Sequence, residues 1–246
     1  MTIIRSKANP LIKKTKQLLQ KKHRKDSYLI EGWHLFEEAQ QSGAIFRHIF
    51  VSEEKSGLLI ERPERVLVSE AVLKEISDAP TPQGIVAEVI LTQVDLPDFK
   101  SGRYLVLEDV QDPGNLGTMI RTADAAGLDG VILSDRSADL YNPKTLRSMQ
   151  GSHFHLPIFR SSLPPIFEQM KTAGLPILAT TLSGSSVNYL NLENFEAFAL
   201  VMGNEGQGIS HETVKMADQL VHINMPGQAE SLNVAVAAGI VIFSLL

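Results

Sequence analysis

Apolar positions follow two rhythms along this chain, and each rhythm marks a kind of element. Leu11, Ile12, Leu18 and Leu19 recur at helical spacing behind Pro10, a residue suited to a first helical turn, so the opening segment reads as a helix. From Tyr28 to about Leu91, short apolar runs alternate with polar helical stretches: Tyr28-Leu29-Ile30, then Trp33–Gln41, Ile49-Phe50-Val51 and Val66-Leu67-Val68. Ser69 is placed to cap a helix from Glu70 to Ile76, Pro80-Thr81-Pro82-Gln83-Gly84 reads as a turn, and Ile85–Leu91 as a closing strand. Thr92–Gly102 is polar and turn-prone. This divides the chain into a first domain, 1–95, a linker, 96–102, and a second domain, 103–246.

The second part alternates more clearly. Tyr104–Leu107 is a strand ending at Glu108-Asp109, Asp112-Pro113-Gly114 is a turn, a helix runs to about Ala126, and Gly130–Leu133 is the next strand. Leu175–Thr180, Phe198–Met202 and Leu220–Ile223 are further strands. Ser231–Leu246 is rich in Val, Ile and Ala, and its length favours a buried helix. Strands alternating with helices predict an α/β layered fold.

Charge changes this picture at one end. Residues 1–25 hold nine Lys or Arg and no acid, which leaves fourteen bases against twenty-eight acids elsewhere. A basic arm on an acidic body suits a polyanionic partner, although a solvated helix face accounts for many such runs. The absence of cysteine excludes disulfides, thiolate zinc sites, iron–sulfur clusters and a cysteine nucleophile. No apolar run reaches membrane-spanning length and the start lacks a signal-peptide core, so a cytoplasmic protein is expected.

Candidate chemistry lies in three Gly- and Asn-rich segments at strand ends: 112–121, 203–208 and 224–233. In open α/β sheets ligands bind beyond the carboxyl ends of strands, so these segments can converge on one pocket. Gly203, Gly206 and Gly208 have the wrong offsets for a dinucleotide fingerprint, and neither G-K-[ST] nor G-x-S-x-G occurs. A dinucleotide-dependent oxidoreductase is thereby disfavoured. His153-x-His155 would share a face if the segment were a strand, but no carboxylate–histidine pattern accompanies it, and no metal is expected.

The three segments resemble the motifs of the SpoU (TrmH-type) branch of the SPOUT RNA methyltransferases. Asn115-x-Gly117-x-x-x-Arg121 followed by Thr122-Ala123 matches the first, Gly203-Asn204-Glu205-x-x-Gly208 the second, and Glu230-Ser231-Leu232-Asn233-Val234 the third. Asn9-Pro10-Leu11-Ile12-Lys13, Glu31-Gly32 and Pro82-Gln83-Gly84 are similar to the substrate-binding domain attached to many members. The resemblance implies a C-terminal parallel-sheet domain with a trefoil knot, preceded by a smaller α/β RNA-binding domain similar to ribosomal proteins. It further implies a homodimer and methyl transfer from S-adenosylmethionine to a ribose 2′-hydroxyl. RNA, not DNA, is then the partner, ribosomal RNA ahead of transfer RNA, with no membrane involved.

By the same resemblance, Arg121, Asn115, Ser231 and Asn233 are the catalytic positions. The cofactor positions are Gly203, Asn204, Glu205, Gly208, Ile223, Met225, Ser231, Leu232 and Asn233. Lys13, Lys14, Lys21, Lys22, Arg24 and Lys25 are expected to hold RNA phosphates. Arginine keeps its proton, so Arg121 suits stabilisation of an alkoxide rather than general-base work, with Asn115 available to hold the guanidinium. On spacing alone Arg121 would pair with Asp124, three positions on. Asn224 and Ala235 stand where the family often has proline and serine. A non-catalytic RNA-binding protein of the same fold is the alternative, and it predicts loss of Arg121 or Asn233, both of which are present.

Overall fold

Among the described residues, side-chain caps start five of the eight α-helices, and apolar runs set the strands. The structure, a computed structural model, describes residues 3–59, 61–182 and 185–246. Its elements begin with α1 (Pro10–Gln17), β1 (Ser27–Glu31), α2 (Trp33–Gln41), β2 (Phe46–Ser52), β3 (Arg65–Val68), α3 (Glu70–Leu73) and β4 (Ile85–Ile90). Next come β5 (Arg103–Leu107), α4 (Pro113–Ala125), β6 (Gly130–Leu133), α5 (Pro143–Met149), β7 (Ile158–Arg160) and α6 (Leu163–Ala173). The last are β8 (Ile177–Thr180), β9 (Val187–Asn188), β10 (Phe198–Met202), α7 (His211–Met216), β11 (Gln219–His222) and α8 (Val234–Ser244).

Two compact units result. The first combines residues up to Gln93 with Tyr141–Phe154, and the second combines Val94–Leu140 with His155–Leu246. This differs from the contiguous division read from the turn-prone stretch, because composition marks a linker but not a segment that returns. Tyr141 packs its ring 4.3 Å from that of Tyr28, and Arg147 on α5 pairs with Asp78 at 3.0 Å.

In the first unit the sheet order is β1-β4-β2-β3, with β4 antiparallel to both neighbours and β3 parallel to β2. The closing strand therefore lies inside the sheet, which its buried Ile85, Val86, Ala87 and Val89 suit. Asn9 caps α1 by accepting the Leu11 amide at 2.9 Å, and Ile12 turns into a core with Leu29, Phe50, Val72 and Ile76. Two expected helices are shorter than the pattern suggests. The basic one ends at Gln17, and a 3-10 turn follows at Lys21–His23. α3 stops at Leu73, after which Glu75 and Ile76 bond three residues back instead of four, and the Ser69 side chain makes no cap bond.

The second unit holds a seven-stranded sheet, β7-β6-β5-β10-β8-β11-β9, with every neighbouring pair parallel. β5, β6 and β10 are buried almost end to end, as strands covered on both faces must be. Because all strands point one way, their carboxyl ends open on a single edge. Asp112-Pro113-Gly114, expected as a turn, starts α4 instead: Asp112 accepts the Asn115 amide at 2.9 Å and Pro113 occupies the first helical position. The Ser231–Leu246 helix begins only at Val234, capped by Asn233.

His153 and His155 are not in a strand. His153 sits in a 3-10 turn, 3.1 Å from the Tyr28 hydroxyl, and His155 bonds Asp124 at 2.8 Å. Among the described residues no group of three or more His, Cys, Asp or Glu is placed to hold a metal, and no helix is long and apolar enough to cross a membrane.

Candidate cofactor and active site

Two glycines shape the loop after β10. A Cβ on Gly203 would lie 2.2 Å from the Gly208 carbonyl carbon, so the chain can close here only without a side chain. Asn204 and Gly208 exchange two backbone hydrogen bonds of 2.9 Å, and Gly208 takes φ +70°, a conformation that glycine adopts freely. The Asn204 side chain finishes the turn, its Oδ1 accepting the amides of Gly206 at 2.9 Å and Gln207 at 3.0 Å. Its Nδ2 donates to the Asp109 carbonyl at 2.8 Å, tying this loop to the end of β5. Asp109 itself has φ 55° and is held there by Ser134, which accepts its amide at 2.8 Å and donates to its carboxylate at 2.7 Å.

Glu205 then reaches across to the next segment. Its carboxylate accepts the amides of Gln111 at 3.1 Å and Asp112 at 3.0 Å, and the Asn115 side chain at 3.1 Å. Burial pushes the Glu205 carboxyl up, but these donors outweigh it and hold it below the usual carboxylate range. Asn115 in turn accepts the Asn233 Nδ2 at 3.0 Å, while the Asn233 Oδ1 caps α8 by accepting the Ala235 and Val236 amides. One relay, Glu205–Asn115–Asn233, therefore joins all three Gly- and Asn-rich segments.

Beside it opens a cavity of about 550 Å³, within the range of small-molecule sites. Gly203, Asn204, Glu205, Gly208, Ile223, Met225, Ser231 and Leu232 line it. Asn233, expected with them, is absent from the walls and serves the relay and the helix cap. The walls also include Thr180 at the end of β8, Thr181 and Leu182 past it, and His222 at the end of β11. Motif matching passes over these four, although the rule that ligands sit beyond parallel strand ends could have found them. Apolar walls from Met202, Val221, Ile223 and Leu232, with the carboxylates of Glu205 and Glu230, suit a nucleoside carrying a positively charged tail.

Arg121 is neither a member of the relay nor among the residues that line the cavity. It is exposed on α4 and makes no hydrogen bond or ion pair among the described residues. The spacing partner Asp124 is taken by His155, and Asn115 is committed to Glu205 and Asn233, so neither holds the guanidinium. Asn224 is exposed in the loop before α8, and Ala235 is buried in that helix's first turn.

In the first unit, Lys13, Lys14, Lys21, Lys22 and Lys25 are exposed without an ion pair among the described residues. Lys7 and Lys16 instead grip Glu75 at 2.7 and 2.6 Å and hold its carboxyl down to about 2. Arg24 is half-buried and donates to the Leu19 carbonyl at 3.2 Å, so it stiffens the turn rather than standing ready for phosphate.

A parallel α/β unit whose strand-end loops enclose a nucleoside-sized cavity defines a ligand-binding α/β class. Within that class the family models are specific: residues 102–243 match the SpoU rRNA methylase family, and residues 9–87 match the MRM3-like substrate binding domain. The chain is 41% identical to the 23S rRNA (guanosine(2553)-2′-O)-methyltransferase RlmP of Bacillus subtilis, over all of this chain and 99% of that protein. An AdoMet-bound rRNA methyltransferase from Sinorhizobium meliloti superposes with a TM-score of 0.88 at 33% identity, covering 99% of this chain and 97% of that one. The SpoU methyltransferase AviRb of Streptomyces viridochromogenes, in complex with AdoMet, gives 0.84 at 28% identity, covering 96% and 97%. This chain belongs to the SpoU rRNA methylase family.

Proposed function

We propose that this protein transfers the methyl group of S-adenosylmethionine to a ribose 2′-hydroxyl of RNA, with ribosomal RNA as the substrate class. The observation that carries the reading is the Glu205–Asn115–Asn233 relay, which assembles the three family motifs at the edge of a cavity of fitting size and chemistry. Family membership and the AdoMet-bound relatives support the cofactor. The rRNA-specific relative and the match to a substrate-binding model support the RNA.

Bound in the cavity, the cofactor supplies a methyl group already activated by its sulfonium charge. The loop at 203–208 and the segment 223–232 would hold it, with Glu205 ionised and rigid at the rim. What the protein must add is alignment of the attacking oxygen and relief of the negative charge that grows there. Arg121, unpaired and permanently cationic, is the group for the second task. Ser231 lines the cavity with an exposed hydroxyl and orients the ribose, while Asn115 and Asn233 keep the segments in register. Dependence on the 2′-hydroxyl makes RNA the substrate and leaves DNA inert.

The rest of the reading follows the family. The first unit binds RNA, and the free lysines of 13–25 add affinity without choosing a sequence. The second unit carries the knotted topology, and the protein works in the cytoplasm as a homodimer. The exposed Val236, Phe243 and Leu246, in and just beyond α8, support the dimer.

Labelled S-adenosylmethionine with unmodified ribosomal and transfer RNA pools, followed by nucleoside analysis, tests the reaction. A labelled 2′-O-methyl nucleoside from the ribosomal pool is expected. Arg121→Ala should lower turnover by about 100-fold or more with cofactor affinity unchanged. Full turnover in that variant contradicts the role given to Arg121.

A further inference from the structure

We propose that the first unit holds a second ligand site, a polar cavity beside α1 that takes one unstacked nucleobase of the RNA. This rests on the RNA reading above and adds the place where a base is gripped away from the reacting ribose. The cavity, about 150 Å³, is formed by α1, the Lys21–His23 turn and the β1–β4–β2 face.

The first observation is an unmatched hydroxyl. Thr15 is 1% exposed and lines the cavity, and among the described residues its Oγ1 has no hydrogen-bond partner. Buried hydroxyls are ordinarily paired, so this one is suited to a partner that comes from outside. A single water would pair it, but the space is several times the roughly 30 Å³ that one water occupies.

The second observation is how the lining is arranged by chemistry. The floor is already built and rigid: the Glu88 carboxylate accepts Ser27 at 2.7 Å, Arg47 at 3.0 Å and His48 Nδ1 at 2.8 Å, and Arg47 also binds Asp26 at 2.9 Å. Arg47 and His48 are committed to Glu88 and Asp26, so no cation at the floor is left to hold a phosphate there. Leu11 and Leu18 add apolar wall. The side chains of Lys14 and His23 line the cavity with no hydrogen bond or ion pair among the described residues, and Lys14 puts positive charge beside it. A flat, uncharged ring with donors and acceptors, attached to a phosphate that stays outside, satisfies all of these together. That is a nucleotide splayed from a single strand, the form in which RNA sequence is ordinarily read.

Fluorescence anisotropy with labelled single-stranded fragments of ribosomal RNA, alongside methyl transfer by the wild type, tests the site. Thr15→Val keeps the shape and removes the hydroxyl. It should leave the thermal midpoint at or above wild type, raise the RNA Kd about tenfold, and leave the salt slope unchanged. Lys14→Ala should lower that slope by about one. Photo-crosslinking with 4-thiouridine RNA should label residues 11–27. Should Thr15→Val fail to fold, His23→Ala, at a half-buried turn position, is read the same way. If the wild type methylates RNA while these variants bind it normally and no crosslink maps here, the cavity holds water only and the inference is overturned. If the wild type neither binds nor methylates RNA, the underlying reading fails and this site falls with it.

Discussion

Asn233 does two jobs with one side chain, and its two atoms separate them. Oδ1 caps α8 and Nδ2 donates to Asn115. Asn233→Asp keeps an acceptor for the cap but loses the donor, so it should unfold near the wild-type temperature and lose most methyl transfer. Asn233→Ala loses both and should in addition cost about 1 kcal/mol in stability. Denaturant titration beside turnover distinguishes them; equal turnover in wild type and Asn233→Asp contradicts the relay. Residue identity was legible here and partnership was not. Asn115, Glu205 and Asn233 could be singled out by resemblance, but their bonds span 90 and 118 positions, beyond the reach of any local pattern. The same blindness made Arg121–Asp124 look a natural pair, when His155, 31 residues from Asp124, is the actual partner.

At the scale of elements, the loop after β10 has no room for a methyl group. Gly203→Ala forces its Cβ against the Gly208 backbone, and displacing that backbone should cost about 1–3 kcal/mol. Calorimetry should find cofactor affinity reduced by at least tenfold; an affinity equal to wild type would mean the loop does not grip the ligand. Helix α1 offers a separate test through Glu75, whose carboxyl its Lys16 neighbour, with Lys7, holds down to about 2 against an ordinary 4.5. A depressed carboxyl stabilises the fold above its unfolded value and loses that contribution as pH falls through the folded one. The wild-type melting temperature should therefore fall more steeply between pH 4.5 and 2 than that of Glu75→Gln, and parallel curves would count against the clamp. Long apolar runs such as Phe198–Met202 announced their strands. α5 did not, because seven residues with only Thr145, Leu146 and Met149 buried carry too little periodicity, and its place within the first unit is set by Tyr141 and Arg147.

For the whole molecule, the cavity predicts a thermodynamic response to ligand. S-adenosylhomocysteine at a hundredfold its Kd should add about 2.7 kcal/mol and raise the melting temperature by roughly 5–10 °C. NAD at equal concentration should not, and a shift with neither compound would remove the cofactor from the reading. The α/β class was open to inspection in the alternation of runs, and the basic arm in its charge. The arm's division of labour was hidden, since only the structure separates Lys7 and Lys16, bound to Glu75, from Lys13, Lys14, Lys21, Lys22 and Lys25.

The relay also bears on when the molecule becomes competent during its own synthesis. Chains are made from the amino end, and early parts can fold while later ones are still being added. Asn115 is in place 118 residues before Asn233, its last partner. A ribosome-bound chain stalled between Glu205 and Asn233 can own a helix α4 and a Glu205 contact, yet it lacks the third segment that completes the rim. With the relay in its proposed role, competence arrives late and in one step, and a stalled chain should not modify RNA until Asn233 has been added.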